Sequence, residues 1–224
     1  MVDTTHDTAA LGGSLNPPTG SNGRGAAREG AEHGLDRALA QSVLARLKQP
    51  LVLVGLMGAG KSCIGKRLAG HLSLPFVDAD REIEAAAGCS IPDIFAAHGE
   101  KAFRDGERRV IQRLLGNPVH VLATGGGAFV DPTTRALVKE RAISIWIRAD
   151  LDLLLKRVSR RNDRPLLQNV DPRAKLAELI ELRHPFYAEA DIIVDSADGP
   201  PEVTLGRVME ALGTYLTERE PAAS

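Results

Sequence analysis

The chain has 224 residues, and its 28 Lys and Arg nearly cancel its 29 Asp and Glu, leaving a formal net charge of −1. That balance argues against a strongly basic nucleic-acid surface and against a polybasic segment drawn to membranes, and no apolar run approaches the roughly 20 residues of a membrane-spanning helix. Two cysteines, Cys63 and Cys89, make no disulfide framework. Met1 to Asp7 lacks the basic and apolar regions of a signal peptide, so a soluble, reduced, cytosolic protein with one sizeable core is expected.

In chain order, residues 1–33 are rich in Gly, Ala, Ser, Thr, Asn and Pro and poor in large apolar side chains. Such a segment buries too little surface to offset its ordering entropy, which predicts a disordered tail. Leu35, Leu39, Val43, Leu44 and Leu47 then recur at helical spacing, predicting a lead-in amphipathic helix over 34–49. A folded domain is expected over 50–218, with a flexible end at 219–224.

Leu51-Val52-Leu53-Val54 reads as a buried strand, and Gly55-Leu56-Met57-Gly58-Ala59-Gly60-Lys61-Ser62 follows it. This octapeptide fits G-x-x-x-x-G-K-[ST] at every specified position, with a helical pattern from Cys63 onward. Glycines let successive backbone N–H groups turn inward around a polyphosphate, and the next helix points its positive end at the same anion. Lys61 can reach the β- and γ-phosphates, and the Ser62 hydroxyl can ligate Mg²⁺. Nucleotide binding follows, while the acceptor of any phosphoryl group does not. Cys63 reads as a small helix residue, although a helix N-terminus can lower a thiol pKa.

Further strands are predicted at 74–77, 119–123, 143–147 and 191–194, short and mostly unalternating, as strands covered on both faces should be. Asp131-Pro132 and Asp171-Pro172 each place an N-cap acid before a helical first-turn proline, and Ser90-Ile91-Pro92-Asp93 resembles a capping box. The alternation predicts an α/β fold with a five-stranded parallel sheet between helical layers, ligands binding beyond the carboxyl ends of the strands.

Asp78 and Asp80 close the second strand. In an extended exit, residues two apart point the same way, so both carboxylates would face the phosphate loop, one supporting Mg²⁺ and the other orienting or deprotonating an acceptor hydroxyl. Capping of the next helix is the competing use. Arg104 and Glu107 are three apart on a helix and can pair, which would orient the arginine for a carboxylate. Thr124-Gly125-Gly126-Gly127 brings bare backbone to a strand end, for a ligand or a tight turn. The third strand lacks a terminal Asp, leaving Asp78 as the candidate carboxylate for the metal. Arg157, Arg160, Arg161 and Arg164 surround a helix break at Asn162-Asp163, as in a mobile phosphoryl-transfer lid.

Taken in order, these motifs resemble shikimate kinase over about residues 50–218. They are the phosphate loop, Asp78-Ala79-Asp80 with Ile83-Glu84, Ser90 to Phe95, Gly99-Glu100 with Phe103-Arg104 and Glu107, Thr124 to Gly127, Arg164 to Leu167, and Arg183 to Tyr187. The resemblance implies a three-layer P-loop fold of the nucleoside-monophosphate-kinase type with lid and substrate-binding subregions. It implies ATP-dependent phosphorylation of the 3-hydroxyl of shikimate in aromatic amino acid biosynthesis, by a monomer. Gly58, Ala59, Gly60, Lys61, Ser62 and Cys63 would hold ATP, with Arg157 stacked on adenine and Pro201 at its other edge. Ser62 would ligate Mg²⁺, and Asp78 would support it through water. Asp80 would bind shikimate and activate the attacking hydroxyl. Arg104, Gly125, Gly126, Gly127 and Arg183 would hold the substrate, Phe95 and Phe103 would wall it, and Arg164 would reach in from the lid. Ala59 and Cys63 depart from the serine and threonine frequent in the family, without removing a backbone donor. A gluconate kinase of the same fold and a catalytically inactive nucleotide-binding relative are the rivals. The Arg104 and Arg183 pair argues against the first, and intact Lys61, Asp80 and Arg164 against the second.

Overall fold

The computed structural model describes residues 37–159 and 171–219. The expected tail over 1–33, the lid residues from Arg160 to Leu167 and the last residues 220–224 lie outside that range. A helix over 37–46, α1, leads into the domain; of the apolar set expected there Val43 and Leu47 are buried and Leu39 partly so, whereas Leu44 is exposed and Ala40 takes a buried place instead.

Five strands follow: β1 Leu51–Val54, β2 Phe76–Asp78, β3 Val121–Ala123, β4 Ile143–Arg148 and β5 Ile192–Asp195. They form one parallel sheet in the order β2-β3-β1-β4-β5. Between and after them run α2 Lys61–His71, α3 Ala79–Ala87, α4 Ile91–Leu114, a short 3₁₀ turn Ala128–Val130, α5 Pro132–Arg141, α6 Leu151–Val158, α7 Pro172–Tyr187 and α8 Pro201–Glu218. β1 is buried throughout and β4 as far as Ile147, because helices cover both sheet faces at the centre. β5 differs from the expected unalternating pattern. As an edge strand it buries Ile192 and Val194 and exposes Ile193. β2 starts later than expected because Pro75 has no N–H to give the ladder; its carbonyl accepts from Val121 instead.

Chain direction over the sheet sets the position of the site. From β1 the crossover to β2 passes to one side, and from β3 the crossover to β4 passes to the other. With right-handed connections, α2 and α5 therefore lie on opposite faces. A crevice opens between such diverging connections at the carboxyl ends of the central strands. α2 packs closely on the sheet at Gly65, where an added Cβ would lie 2.7 Å from the Phe76 ring and 2.9 Å from Leu53.

The marked helix starts form as expected. Asp131 accepts from the Thr134 amide at 2.8 Å, Asp171 from that of Arg173 at 3.0 Å, and Ser90 from that of Asp93 at 3.3 Å. α4 is broken at Gly99, whose φ of 76° and ψ of 174° suit only a residue without a side chain. The break gives the two halves of α4 different directions, with Phe95 before it and Phe103, Arg104 and Glu107 after it.

Candidate active site

The phosphate loop leaves β1 with Gly55, Gly58 and Gly60 at φ 132°, 83° and 107°. Gly55 has no alternative, since a Cβ there would sit 2.7 Å from the Ile147 carbonyl oxygen and 3.2 Å from Trp146. Lys61, the first residue of α2, is almost fully buried; its Nζ donates to the carbonyls of Gly55 at 2.8 Å and Leu56 at 2.9 Å. The ammonium is thereby drawn back across the loop that it closes.

Ser62 Oγ donates to Asp78 Oδ2 at 2.9 Å, joining α2 to the end of β2. Here the extended-exit expectation needs correction. β2 ends at Asp78, which is the N-cap of α3 and accepts from the Asp80 amide at 3.2 Å. Asp80 already lies in the first helical turn, so the cap belongs to Asp78 and Asp80 is free of that duty. The Asp80 carboxylate reaches solvent in the open crevice but is closely surrounded by protein. Burial, then the Asp78 charge, pushes its pKa up, with Lys61 and Arg104 pulling the other way.

Glycine at 125 lets the second acid come close. A Cβ on Gly125 would lie 2.9 Å from Asp80 Oδ1 and 3.0 Å from Glu107 Oε1. Glu107 is buried and accepts from Arg104 Nη1 on its Oε2 at 2.6 Å, while its Oε1 has no hydrogen-bond partner among the described residues. Burial raises the Glu107 pKa against the opposing Arg104 charge. For Arg104, burial works against the cation, but the charge and hydrogen bonds of Glu107 and Glu100 outweigh it and the pKa is raised. The guanidinium is thus permanently charged and held from one edge. It lies against Gly127, where a Cβ would approach it to 2.6 Å, and over Phe103, whose ring packs on Phe95 at a centroid distance of 4.6 Å.

α7 supplies the remaining cation. Arg183 Nη1 donates to the Gly126 carbonyl at 3.0 Å, and the Tyr187 hydroxyl donates to the same oxygen. A Cβ on Gly126 would lie 3.5 Å from the Met57 amide nitrogen and 3.6 Å from the Gly55 carbonyl oxygen, so the triple glycine touches the phosphate loop. On the other side, Arg157 Nη1 donates to Ala59 O at 3.0 Å and Ser196 Oγ at 2.9 Å, and its Nη2 to Ala197 O at 2.8 Å. Asp80, Arg104, Glu107, the three glycines and Arg183 therefore form a polar cradle facing the phosphate loop, with a carboxylate at one part and two arginines at another.

The shikimate kinase family model matches residues 57–213. The shikimate kinase of Paramagnetospirillum magneticum is 62% identical over 178 residues, covering 80% of this chain and 91% of the relative. The chain belongs to the shikimate kinase family. The shikimate kinase of Caulobacter vibrioides is 59% identical over 162 residues, covering 72% of this chain and 81% of the relative. A solved shikimate kinase from Acinetobacter baumannii, in complex with shikimate, is similar at a TM-score of 0.74 and 35% identity, covering 80% of this chain and 99% of that one.

Of the motifs that carry the family resemblance, the phosphate loop, Asp78 and Asp80, Phe103 with Arg104 and Glu107, Gly125 to Gly127, and Arg183 with Tyr187 come together here, whereas Ile83-Glu84 and Ser90 to Asp93 serve the helices α3 and α4 and Arg164 to Leu167 lie outside the described residues. Arg157 is placed beside the phosphate loop, but the edges of its guanidinium are taken by backbone carbonyls and Ser196. Pro201 opens α8, where Glu202 pairs with Arg67 of α2 at 3.1 Å. Cys63 is exposed and accepts from Arg67. Two positioning groups were missed: Ser196, whose hydroxyl also donates to Ala59 O at 3.1 Å, and Tyr187. The sign for Tyr187 was its place one helical turn after Arg183, which puts both on one face. Ser196 had no sequence sign, because only the fold brings the end of β5 to the phosphate loop.

Proposed function

We propose a division of labour among these residues in the reaction of the family, the phosphorylation of the 3-hydroxyl of shikimate by ATP to give shikimate 3-phosphate and ADP. The observation that carries it is the cradle itself, in which Asp80 and the paired arginines face the phosphate loop across the carboxyl ends of β2, β3 and β1. A small carboxylate bearing three hydroxyls needs cations at one end and an acidic acceptor at the other, and the cradle offers both.

Lys61 and the backbone amides from Gly58 to Cys63 hold the ATP phosphates. Arg157, fixed by its edges, keeps a flat face for adenine, with Pro201 at the far side. Arg104 and Arg183 hold the shikimate carboxylate, the backbone of Gly125, Gly126 and Gly127 approaches the ring, and Phe95 and Phe103 wall it. Asp80 takes the proton of the 3-hydroxyl as that oxygen attacks the γ-phosphorus. The bond to the β–γ bridging oxygen then breaks, and ADP leaves with the electron pair. A raised pKa suits Asp80 as a base, since a carboxylate of ordinary acidity is a weak one. Arg164 would reach the phosphates from the lid.

The Ser62 hydroxyl and Asp78 carboxylate are an all-oxygen pair 2.9 Å apart at the end of the phosphate loop, which fits a small hard cation that keeps much of its water. They would hold Mg²⁺, Asp78 through water, and the ion when bound would offset phosphate charge. A cytoplasmic monomer without nucleic-acid or membrane partners is the setting we propose. The balanced charge supports the lack of nucleic-acid and membrane partners; among the described residues no helix is long and apolar enough to cross a membrane.

The test is ADP release by purified protein with Mg-ATP and shikimate, gluconate or no acceptor, with phosphorus NMR of the product. Turnover on shikimate alone, giving a 3-phosphate, is expected. Turnover on gluconate, or ATP binding without turnover on any of them, would refute the assignment.

A further inference from the structure

The Tyr187 side chain is fully buried at the end of α7, between the Trp146 and His184 rings and the triple-glycine turn. Its hydroxyl and Arg183 Nη1 converge on one acceptor, the carbonyl oxygen of Gly126. A carbonyl oxygen has two lone pairs, so α7 occupies both.

Clasping that oxygen fixes more than one atom. The Gly126–Gly127 peptide is a rigid plane, and in a trans peptide the N–H of Gly127 points opposite to the Gly126 carbonyl. Holding the carbonyl on α7 therefore aims that N–H away from α7. It also fixes the backbone against which the Arg104 guanidinium rests, since Gly127 leaves 2.6 Å between a would-be Cβ and Nη1. Glycine alone gives this turn little rigidity. The order must come from its partners, and two of them are side chains one helical turn apart.

We infer that Tyr187 is a positioning residue for the acceptor: its hydroxyl locks the Gly126–Gly127 peptide so that the cradle is formed before shikimate arrives. Tyr187 does not touch the substrate in this arrangement. Burial pushes the Tyr187 pKa up to about 12 against the opposing Arg183 charge, so the hydroxyl stays a donor throughout the pH range in which such an enzyme is assayed. Other faces near it do not substitute: Trp146 has no hydroxyl, and His184 meets the Trp146 ring edge-on at 4.8 Å.

This inference rests on the assignment of the cradle to shikimate, and the experiment separates the two. Wild type, Tyr187→Phe and Trp146→Phe are assayed for KM of shikimate, KM of ATP and kcat, with circular dichroism to establish folding. Tyr187→Phe keeps the ring and loses only the donor. The expected result is a KM for shikimate raised about tenfold with the KM for ATP within twofold of wild type. Trp146→Phe, which disturbs the packing but keeps the hydroxyl, should leave the KM for shikimate within twofold. If both variants raise the KM for shikimate alike, or neither does, the hydroxyl is not the positioning group. A wild-type enzyme that does not turn over shikimate would instead refute the acceptor assignment itself. A second readout needs no change at Tyr187. The chain has two tyrosines, so 3-fluorotyrosine labelling gives two fluorine signals, assigned with Tyr215→Phe. The Tyr187 signal should be single and sharp without ligand and stay so when shikimate is added; a doubled or broadened Tyr187 signal that only shikimate sharpens would show a cradle formed on binding and overturn the inference.

Discussion

The phosphate half of the proposed site is one unbroken stretch, Gly55–Ser62, whereas the proposed acceptor half draws Asp80 from α3, Arg104 and Glu107 from α4, Gly125–Gly127 from the β3 exit and Arg183 from α7. The first takes its shape from its own stretch: Lys61 Nζ donates back to the carbonyls of Gly55 and Leu56, and Gly60 caps α2 in a left-handed conformation, with Arg157 and Ser196 adding donors to Ala59 O from outside. The second exists only when four separate elements are packed. The same fold thus makes one half of its site from local sequence and the other from tertiary structure. Damage to the two halves should therefore look different in the assay, even though they touch at Gly126.

The largest effect separating them is expected at Asp80. Asp80→Asn keeps the shape and loses the base, and kcat should fall about 100-fold or more while ATP binding is retained. In the wild type, the acid limb of kcat/KM for shikimate should lie above the ordinary aspartate value of 3.8, because burial and Asp78 raise the pKa. The sign follows from the chemistry: the base is active when deprotonated, so activity is lost as pH falls through the raised pKa. A pH profile flat down to the ordinary value would remove Asp80 from that role.

A smaller effect is expected at Gly127. Gly127→Ala places a methyl 2.6 Å from the Arg104 guanidinium, which Glu107 holds in place. Displacing that cation should raise the KM for shikimate about tenfold, within what ångström-scale misplacement of a positioning group costs, and should leave the KM for ATP alone. Equal changes in both constants would mean that the halves are not separable there.

The smallest effect concerns the frame. Gly65→Ala overpacks α2 against Phe76 and Leu53 and should destabilise the fold by about 1–3 kcal/mol, measured by urea unfolding. Because α2 carries the phosphate loop and packs against β2, both KM values should shift together or not at all, unlike the Gly127 variant.

How far the sequence could be read follows the same division. The phosphate loop was legible residue by residue because its function is a backbone conformation with a fixed spacing. All five strands were placed within about two residues, the ordinary uncertainty of element ends. Asp78 and Asp80 were found, but their geometry was not: periodicity suggested two side chains on one strand face, and only the fold shows that α3 begins between them and that Asp78 takes the cap. Arg104 and Glu107 were legible as a helical pair. The Oε1 of Glu107, without a hydrogen-bond partner among the described residues, and its closeness to Asp80 were not, because they depend on Gly125 of a distant turn. The Arg157 contacts to Ser196 and Ala197 likewise join residues that no local pattern connects.

The most direct measurement of the two-part site is an equilibrium titration of shikimate, without nucleotide, into wild type, Lys61→Ala and Arg104→Ala. If the halves are separable, Lys61→Ala binds shikimate within about threefold of wild type although it has lost turnover, and Arg104→Ala binds about 100-fold more weakly, as expected for loss of a charge-assisted pair to a carboxylate. Wild-type affinity in Arg104→Ala, or an equal loss in both variants, would contradict the account.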